Sequence, residues 1–375
     1  DKTVPRGTLK GKLTQPCSKS YAQRALALAL LADGESTLRN IEFCNDTLSA
    51  IKCIEALGAE VRRTGETTLS IRGGFSPRDN VLNVGESGLA TRLFTPIAAL
   101  WDKPVVITGE GTLLHRPMTM MMEPLRHLGV AVRDGGGYLP IEVCGRMHGG
   151  RIEVDGSISS QFITGLLLAL PMAEGDTTLK VHGAVSTPYI DMTVETAERF
   201  GGRILHSDYT EFFIEGGQRY TAADYAIEGD WSAAAMLLVA GAIAGEVTLD
   251  NISTLSKQAD TLICRALVRA GASVINEENS ITVAKRDLTA FEFDATNCPD
   301  LFPALAALAA AAEGTSVITG TSRLEHKESN RAETLREEYA KLGIEIDIET
   351  ENVMKIRGGS IHGAEVDGHS DHRIA

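Results

Sequence analysis

One feature narrows the folds open to this 375-residue chain more than any other: a glycine that returns at near-constant spacing. Leu57-Gly58-Ala59-Glu60-Val61 is echoed by Leu128-Gly129-Val130, Phe200-Gly201-Gly202, Ala270-Gly271-Ala272 and Leu342-Gly343-Ile344, the glycines lying 71, 72, 70 and 72 residues apart. Each follows an amphipathic stretch and precedes a β-branched one. That is where a helix ends in a left-handed residue, which lacks strain only for glycine. α/β proteins often place glycine after helices, but that habit does not explain an even period. A second helix ends earlier in each unit, at Ala32-Asp33-Gly34, Ala173-Glu174-Gly175, Ile243-Ala244-Gly245 and Ala312-Glu313-Gly314, each running into a strand-like stretch such as Thr177 to Val181. The chain is therefore expected to be α/β, built from copies ordered strand, helix, strand, helix, strand. A sixth copy would begin at Asp371-His372-Arg373, and with Ala375 as the last residue it is expected to be incomplete.

Length and an apolar share of 43% fit two domains. The net charge of −14 argues against coating nucleic acid or an anionic membrane, so any basic site must be local. The longest apolar runs, Ala233 to Ala244 and Leu301 to Ala312, are shorter than a membrane span and read as buried helices. Six scattered cysteines without a CxxC pair, and an N-terminus with no signal-like core, fit reduced thiols in the cytoplasm. No HExxH, GxxxxGK[ST] or GxSxG occurs, which removes the signatures of zinc proteases, P-loop proteins and nucleophile elbows.

The polar motifs fall at the repeat phase where helices begin. Free helix N-termini carry unpaired N–H groups and partial positive charge, so several around one cavity would form an anion site in an acidic protein. Ser18-Lys19-Ser20 with Arg24 offers hydroxyls and two cations, although a capping serine beside solvated cations accounts for the same residues. Glu86-Ser87-Gly88-Leu89-Ala90-Thr91-Arg92 is a glycine turn into a helix. Arg116 precedes Pro117, which favours an extended backbone there. Ser157, Ser159, Ser160 and Gln161 gather more donors than one cap needs, and Ser186 with Tyr189 stands on a turn before a helix, where simple capping is the alternative. Asp300 at the start of an Ala-rich helix is either a cap or a buried general base. In His326 to Arg331, helical geometry would put Lys327 and Arg331 on one face with Glu328 beside them, as would an ordinary solvated face. Asp371-His372-Arg373 would be a charged helix start with a capping aspartate.

Taken in order, these motifs, above all SKSxxxRA, SSQF, KESNR and DHR, resemble the EPSP synthase family of enolpyruvyl transferases, the 3-phosphoshikimate 1-carboxyvinyltransferases, over the whole chain. The resemblance implies a two-domain inverted α/β barrel of βαβαββ repeats, the sixth incomplete here, with residues 1–13 plus 228–375 in one domain and 14–227 in the other. Helix N-termini would face an interdomain cleft that closes on substrates. The implied reaction moves the enolpyruvyl group of phosphoenolpyruvate to the 5-hydroxyl of shikimate 3-phosphate and releases phosphate, with no metal or organic cofactor, in a cytoplasmic monomer with no nucleic acid or membrane partner. By similarity, Lys19, Ser20, Arg24, Ser159, Ser160, Gln161, Ser186, Tyr189, Asp300 and Lys327 would hold shikimate 3-phosphate. Lys19, Gly88, Arg92, Arg116, Gln161, Arg331, His372 and Arg373 would surround phosphoenolpyruvate. Asp300 would take the hydroxyl proton, Glu328 would protonate the methylene carbon and Lys327 would assist both. To serve as an acid near neutrality Glu328 needs a raised pKa, whereas Lys327 and Arg331 should lower it.

The sequence departs from the family in two respects. Glu86-Ser87-Gly88-Leu89 stands where relatives carry Asn-x-Gly-Thr, which bears on contacts to phosphoenolpyruvate and on glyphosate sensitivity. The family also runs on past DHR and carries a further lysine near the phosphoenolpyruvate site there. Two other functions stay open on the sequence: the sister activity on UDP-N-acetylglucosamine, which should lack SKSxxxRA and KESNR and bear a loop cysteine near Arg116, and non-catalytic binding of phosphorylated metabolites.

Overall fold

The computed structural model describes residues 2–157, 159–325 and 327–375; Ile158 and His326, which stand inside two of the motifs, lie outside the described residues. The chain divides into two compact units, a continuous one from Cys17 to Ile227 and a split one made of Asp1–Pro16 and Glu228–Ala375.

The continuous unit holds helices α1 (Lys19–Leu31), α2 (Asn45–Ala56), α3 (Gly88–Ala98), α4 (Met122–His127), α5 (Gln161–Ala169) and α6 (Thr187–Arg199). The split unit holds α7 (Trp231–Ala244), α8 (Ile263–Arg269), α9 (Phe302–Ala310) and α10 (Arg331–Lys341). Five four-stranded sheets share one plan, three in the continuous unit and two in the split one. In the sheet of Val81–Asn83, Val105–Thr108, Ile141–Cys144 and Ala131–Asp134, the first two strands are parallel and joined through α3. The last two close an antiparallel edge after α4. This is the βαβαββ repeat, and its parallel pair requires the helical crossover that the sequence supplies.

Two repeats exchange their first strands between units. Leu9–Thr14 pairs in parallel with Gly245–Asp250 in the split unit, although the helix that follows it in sequence is α1. Asp224–Ala226 pairs in parallel with Glu35–Arg39 in the continuous unit, although the next helix is α7. The sequence period therefore runs unbroken through both points where the chain leaves one unit for the other. All five periodic glycines are left-handed, with φ from +81° to +117°, as their place after each repeat's second helix requires.

Helices α1, α3 and α5 are buried on almost every side and form the centre of the continuous unit, which explains their apolar sequences. Closeness there depends on Gly165 of α5, where a Cβ would sit 2.2 Å from the Arg92 carbonyl oxygen of α3. The two long apolar runs are α7 and α9, which pack together in the split unit. No helix among the described residues is long and apolar enough to cross a membrane.

Candidate active site

In the continuous unit, side-chain bonds tie four helix N-termini together. Ser18 caps α1, its Oγ accepting from Tyr21 N, and Ser87 caps α3, its Oγ accepting from Ala90 N at 3.2 Å. Gln23 of α1 donates to the same Ser87 Oγ at 3.2 Å. Arg24, 1% exposed, reaches across to α5 and α6: Nε donates to Thr193 Oγ1 (2.9 Å), and Nη2 to Thr164 Oγ1 (3.2 Å) and the Tyr189 carbonyl (3.1 Å). Its Nη1 donates to the Ser20 carbonyl at 2.8 Å. None of these partners is a carboxylate, and burial lowers the pKa of Arg24 to about 10, against the modest opposing influence of Tyr21, Tyr189 and Tyr225.

Arg92 of α3 donates from Nη1 to Gln161 Oε1 at 2.9 Å, joining the starts of α3 and α5. A Cβ on Gly88 would meet the Nη1 atoms of Arg116 at 2.7 Å and of Arg92 at 3.0 Å, so the bare glycine lets two guanidinium groups close over the first turn of α3. Arg116 is extended (φ −89°, ψ 130°), as its place before Pro117 leads one to expect. Ser159 Oγ accepts from Gln161 N at 3.2 Å, and Ser160 is buried. Ser186 is left-handed (φ +55°), a strained state for a residue with a side chain, and it makes no side-chain cap to α6. Lys19 Nζ pairs with Asp46 Oδ2 at 3.1 Å. In the segment that departs from Asn-x-Gly-Thr, Leu89 is buried and Glu86 is exposed, its Oε2 accepting from Thr112 N at 3.4 Å.

In the split unit the chemistry centres on Arg331, whose side chain is 1% exposed. Its Nη1 donates to Asp300 Oδ1 (2.8 Å), Nη2 to Glu328 Oε2 (2.8 Å) and Asp371 Oδ1 (3.1 Å), and Nε to Asp371 Oδ2 (2.8 Å). Lys327 Nζ joins the same Asp300 oxygen at 3.2 Å. Burial pushes the Asp300 carboxyl up, but Lys327, Arg331 and Arg373 outweigh it and hold its pKa well below the usual range. Asp371, 1% exposed, is likewise held low because the Arg331 bonds overcome its burial. The pKa of Arg373 is raised: burial opposes its charge, and Asp300, Asp230 and Asp260 more than compensate. His372 is exposed, 4.0 Å from Asp371 Oδ1.

Two expectations need correction. Lys327 and Arg331 do not share a helix face, because α10 begins only at Arg331; Lys327 reaches Asp300 from the bend before the helix and Arg331 from its first residue. Of the two readings left open for Asp300, the N-cap does not apply: it lies inside a short 3₁₀ turn, Pro299–Leu301, and its Oδ1 pairs with cations. Asp371 to Ala375 form one turn, closed by Ala375 N on the Asp371 carbonyl, where a helix start was expected.

Sequence reasoning also missed residues. Asp371 does cap its own turn, its Oδ1 accepting from Arg373 N at 2.9 Å, but its second task, the clamp on Arg331 through two bonds, has no sequence signal. Gln23, Thr164, Thr193 and Asp260 carried no motif at all.

The split unit thus gathers three carboxylates on the Arg331 guanidinium with Lys327 on one of them, and the continuous unit links the starts of several helices. A family model for EPSP synthase, 3-phosphoshikimate 1-carboxyvinyltransferase, matches residues 4–375. A 3-phosphoshikimate 1-carboxyvinyltransferase of Methanosarcina acetivorans is 40% identical over 385 aligned positions, covering 99% of this chain and 89% of that protein. One from Clostridium kluyveri is 36% identical, covering 98% and 87%. The solved EPSP synthase of Acinetobacter baumannii superposes with a TM-score of 0.83 at 25% identity, over 99% of this chain and 88% of that one. With matches of that extent and the same two-unit α/β repeat architecture, this chain belongs to the EPSP synthase family.

Proposed function

We propose that this chain transfers the enolpyruvyl group of phosphoenolpyruvate to the 5-hydroxyl of shikimate 3-phosphate, releasing phosphate. The observation that carries the reading is the arrangement of Asp300 and Glu328 on the single guanidinium of Arg331, with Lys327 on the same Asp300 oxygen. In the addition step the 5-hydroxyl oxygen bonds to C2 of phosphoenolpyruvate, its proton passes to Asp300, and Glu328 delivers a proton to C3. In the elimination step the C2–O bond to phosphate breaks, the departing phosphate takes the proton held by Asp300, and the C3 proton returns to Glu328, restoring the double bond. Asp300, held low, is ionised and ready to accept. Lys327 and Arg331 stabilise the negative charge that develops beside it.

In this reading Lys19, Ser20, Arg24, Ser159, Ser160, Gln161, Ser186 and Tyr189 hold shikimate 3-phosphate with Asp300 and Lys327. The helix starts and the remaining Nη1 N–H of Arg24 supply charge-assisted bonds to its acidic groups. Phosphoenolpyruvate is assigned to Lys19, Gly88, Arg92, Arg116, Gln161, Arg331, His372 and Arg373. The two compact units serve as the two domains of the family fold, and the chain works as a monomer. A cytoplasmic location agrees with six cysteines that are not joined in disulfides.

Phosphate release from a mixture of both substrates tests the activity. Turnover with shikimate 3-phosphate and none with UDP-N-acetylglucosamine is expected, and a requirement for the nucleotide sugar overturns the assignment. Binding of both substrates without turnover would favour a non-catalytic binder. Light scattering checks the monomer.

A further inference from the structure

Asp260, in the short turn Ala259–Leu262, lies in the split unit and plays no part in the steps above. It is 1% exposed. Its Oδ2 accepts from the Ser232 hydroxyl in the first turn of α7, and its Oδ1 is buried with no hydrogen-bond partner. A buried carboxylate oxygen without a donor is costly when ionised, and the neutral acid avoids that cost. The charged groups that act on it are Asp300 from the 3₁₀ turn before α9, Asp230 from the N-cap of α7, and Arg373 from the last turn. The Cys298 thiol lies in the same surroundings, its pKa raised by burial first and then by Asp260, Asp294 and Asp300. Burial and the repulsion of Asp300 and Asp230 outweigh Ser232 and Arg373 and lift the Asp260 carboxyl to about 7. It therefore changes charge near neutrality, beside the general base and one of the cations assigned to phosphoenolpyruvate.

We propose that Asp260 is a positioning residue of this site: neutral, it leaves Arg373 to the anionic substrate, and ionised, it claims Arg373 for itself and adds a negative charge behind Asp300. The inference rests on the reading of Arg373 as a phosphoenolpyruvate ligand. Adding an anion beside Asp260 favours its protonated form, so binding and proton uptake are linked. With a midpoint near 7 and a bound state that requires the neutral acid, affinity falls about tenfold between pH 6 and pH 8, and binding at pH 7 takes up about half a proton.

The test is calorimetric titration of phosphoenolpyruvate into the shikimate 3-phosphate complex at pH 6, 7 and 8, in two buffers of different ionisation enthalpy. It compares the wild-type chain, Asp260→Asn and Ser232→Ala. Protonation of the ligand itself is common to all three, so the comparison between proteins is the readout. Asp260→Asn should lose the tenfold pH dependence and the half-proton uptake and bind at pH 8 nearly as it does at pH 6. Ser232→Ala, which removes a bond that favours the ionised form, should move the midpoint upward; this variant keeps the inference testable if Asp260→Asn does not fold. An Asp260→Asn profile parallel to wild type, or an unmoved midpoint in Ser232→Ala, overturns the inference while turnover leaves the assigned reaction standing. Absence of both turnover and phosphoenolpyruvate binding in the wild type overturns the reaction and this inference with it.

Discussion

Replacing Arg24 by methionine should separate what this residue does for the fold from what it does for a ligand. Burial lowers its pKa from 12.5 to about 10, which means the charged form is held in the continuous unit at a cost of roughly 3 kcal/mol. For a base with a lowered pKa that cost is fully present below pH 10 and eases only as the pH rises towards 12.5. Against it stand four hydrogen bonds, but their acceptors do not depend on Arg24. Thr164 Oγ1 and Thr193 Oγ1 lie 3.0 Å apart and can bond each other, and Thr193 Oγ1 already donates to the Tyr189 carbonyl at 2.8 Å. Methionine fills most of the volume and adapts to an irregular gap. The lost bonds and the relieved desolvation nearly cancel, so Arg24→Met should unfold within about 2 kcal/mol of wild type. Its affinity for shikimate 3-phosphate, by contrast, should fall by about 10- to 150-fold, the worth of one charge-assisted bond of about 1.5–3 kcal/mol. Urea unfolding and calorimetry with shikimate 3-phosphate measure the two quantities on the same samples. A stability loss of 4 kcal/mol or more with unchanged affinity would show that Arg24 is a structural strut and would refute the reasoning.

Asp300→Ala and Glu328→Gln should each lower turnover by about 10²- to 10⁴-fold, the usual worth of a positioned acid or base, with a much smaller change in substrate affinity; a variant that loses affinity but keeps turnover would remove that residue from the proton transfers. Gly165→Ala must force α3 and α5 apart, because its Cβ would lie 2.2 Å from the Arg92 carbonyl oxygen; it should destabilise the chain by about 3 kcal/mol in thermal unfolding, and a melting curve matching wild type would contradict the close approach. Glu338 accepts from both Lys341 and His369 and from Asp367 N; these bonds overcome its burial and lower its pKa to about 2, and the Glu338 bond outweighs burial to raise that of His369. The glutamate's contribution to stability is present above its unfolded pKa near 4.5 and fades as the pH falls towards 2, while that of His369 is full below 6.5 and is lost as the pH rises through its raised value. The unfolding midpoint of Glu338→Gln should therefore vary less with pH than that of wild type on both sides of this window, and parallel curves would show that these bonds do not carry it.

The period of about 71 residues was open to reading because a left-handed helix end leaves a residue-type mark: Gly58, Gly129, Gly201, Gly271 and Gly343 all sit where only glycine is unstrained. The helix starts were legible for a similar reason, since capping serines and pre-proline geometry are local. What stayed hidden depends on partners far away in the chain. Arg24 meets Thr164 and Thr193 at separations of 140 and 169 residues, and neither threonine differs in sequence from any other buried helix threonine. Asp371 was legible as a cap, and it does accept from Arg373 N; its clamp on Arg331 was not, because that partner stands 40 residues earlier, at the start of α10.

The same distinction explains why the carboxylates could be named but not ranked. Asp300, Asp371 and Asp260 are chemically identical, yet the first two are held low and the third high. Asp300 shares Arg331 with Lys327 beside it, and Asp371 takes two bonds from the same guanidinium. Asp260 receives one neutral hydroxyl and faces two like charges. Three carboxylates touch Arg331 directly, and Lys327 and Arg373 add positive charge beside Asp300. A bound anion adds negative charge to these surroundings. Of the three aspartates, Asp260 is the one lifted to about 7 while Asp300 and Asp371 are held low, which is why the charge state of Asp260, rather than that of the better-paired Asp300, should govern how tightly the site holds its anion.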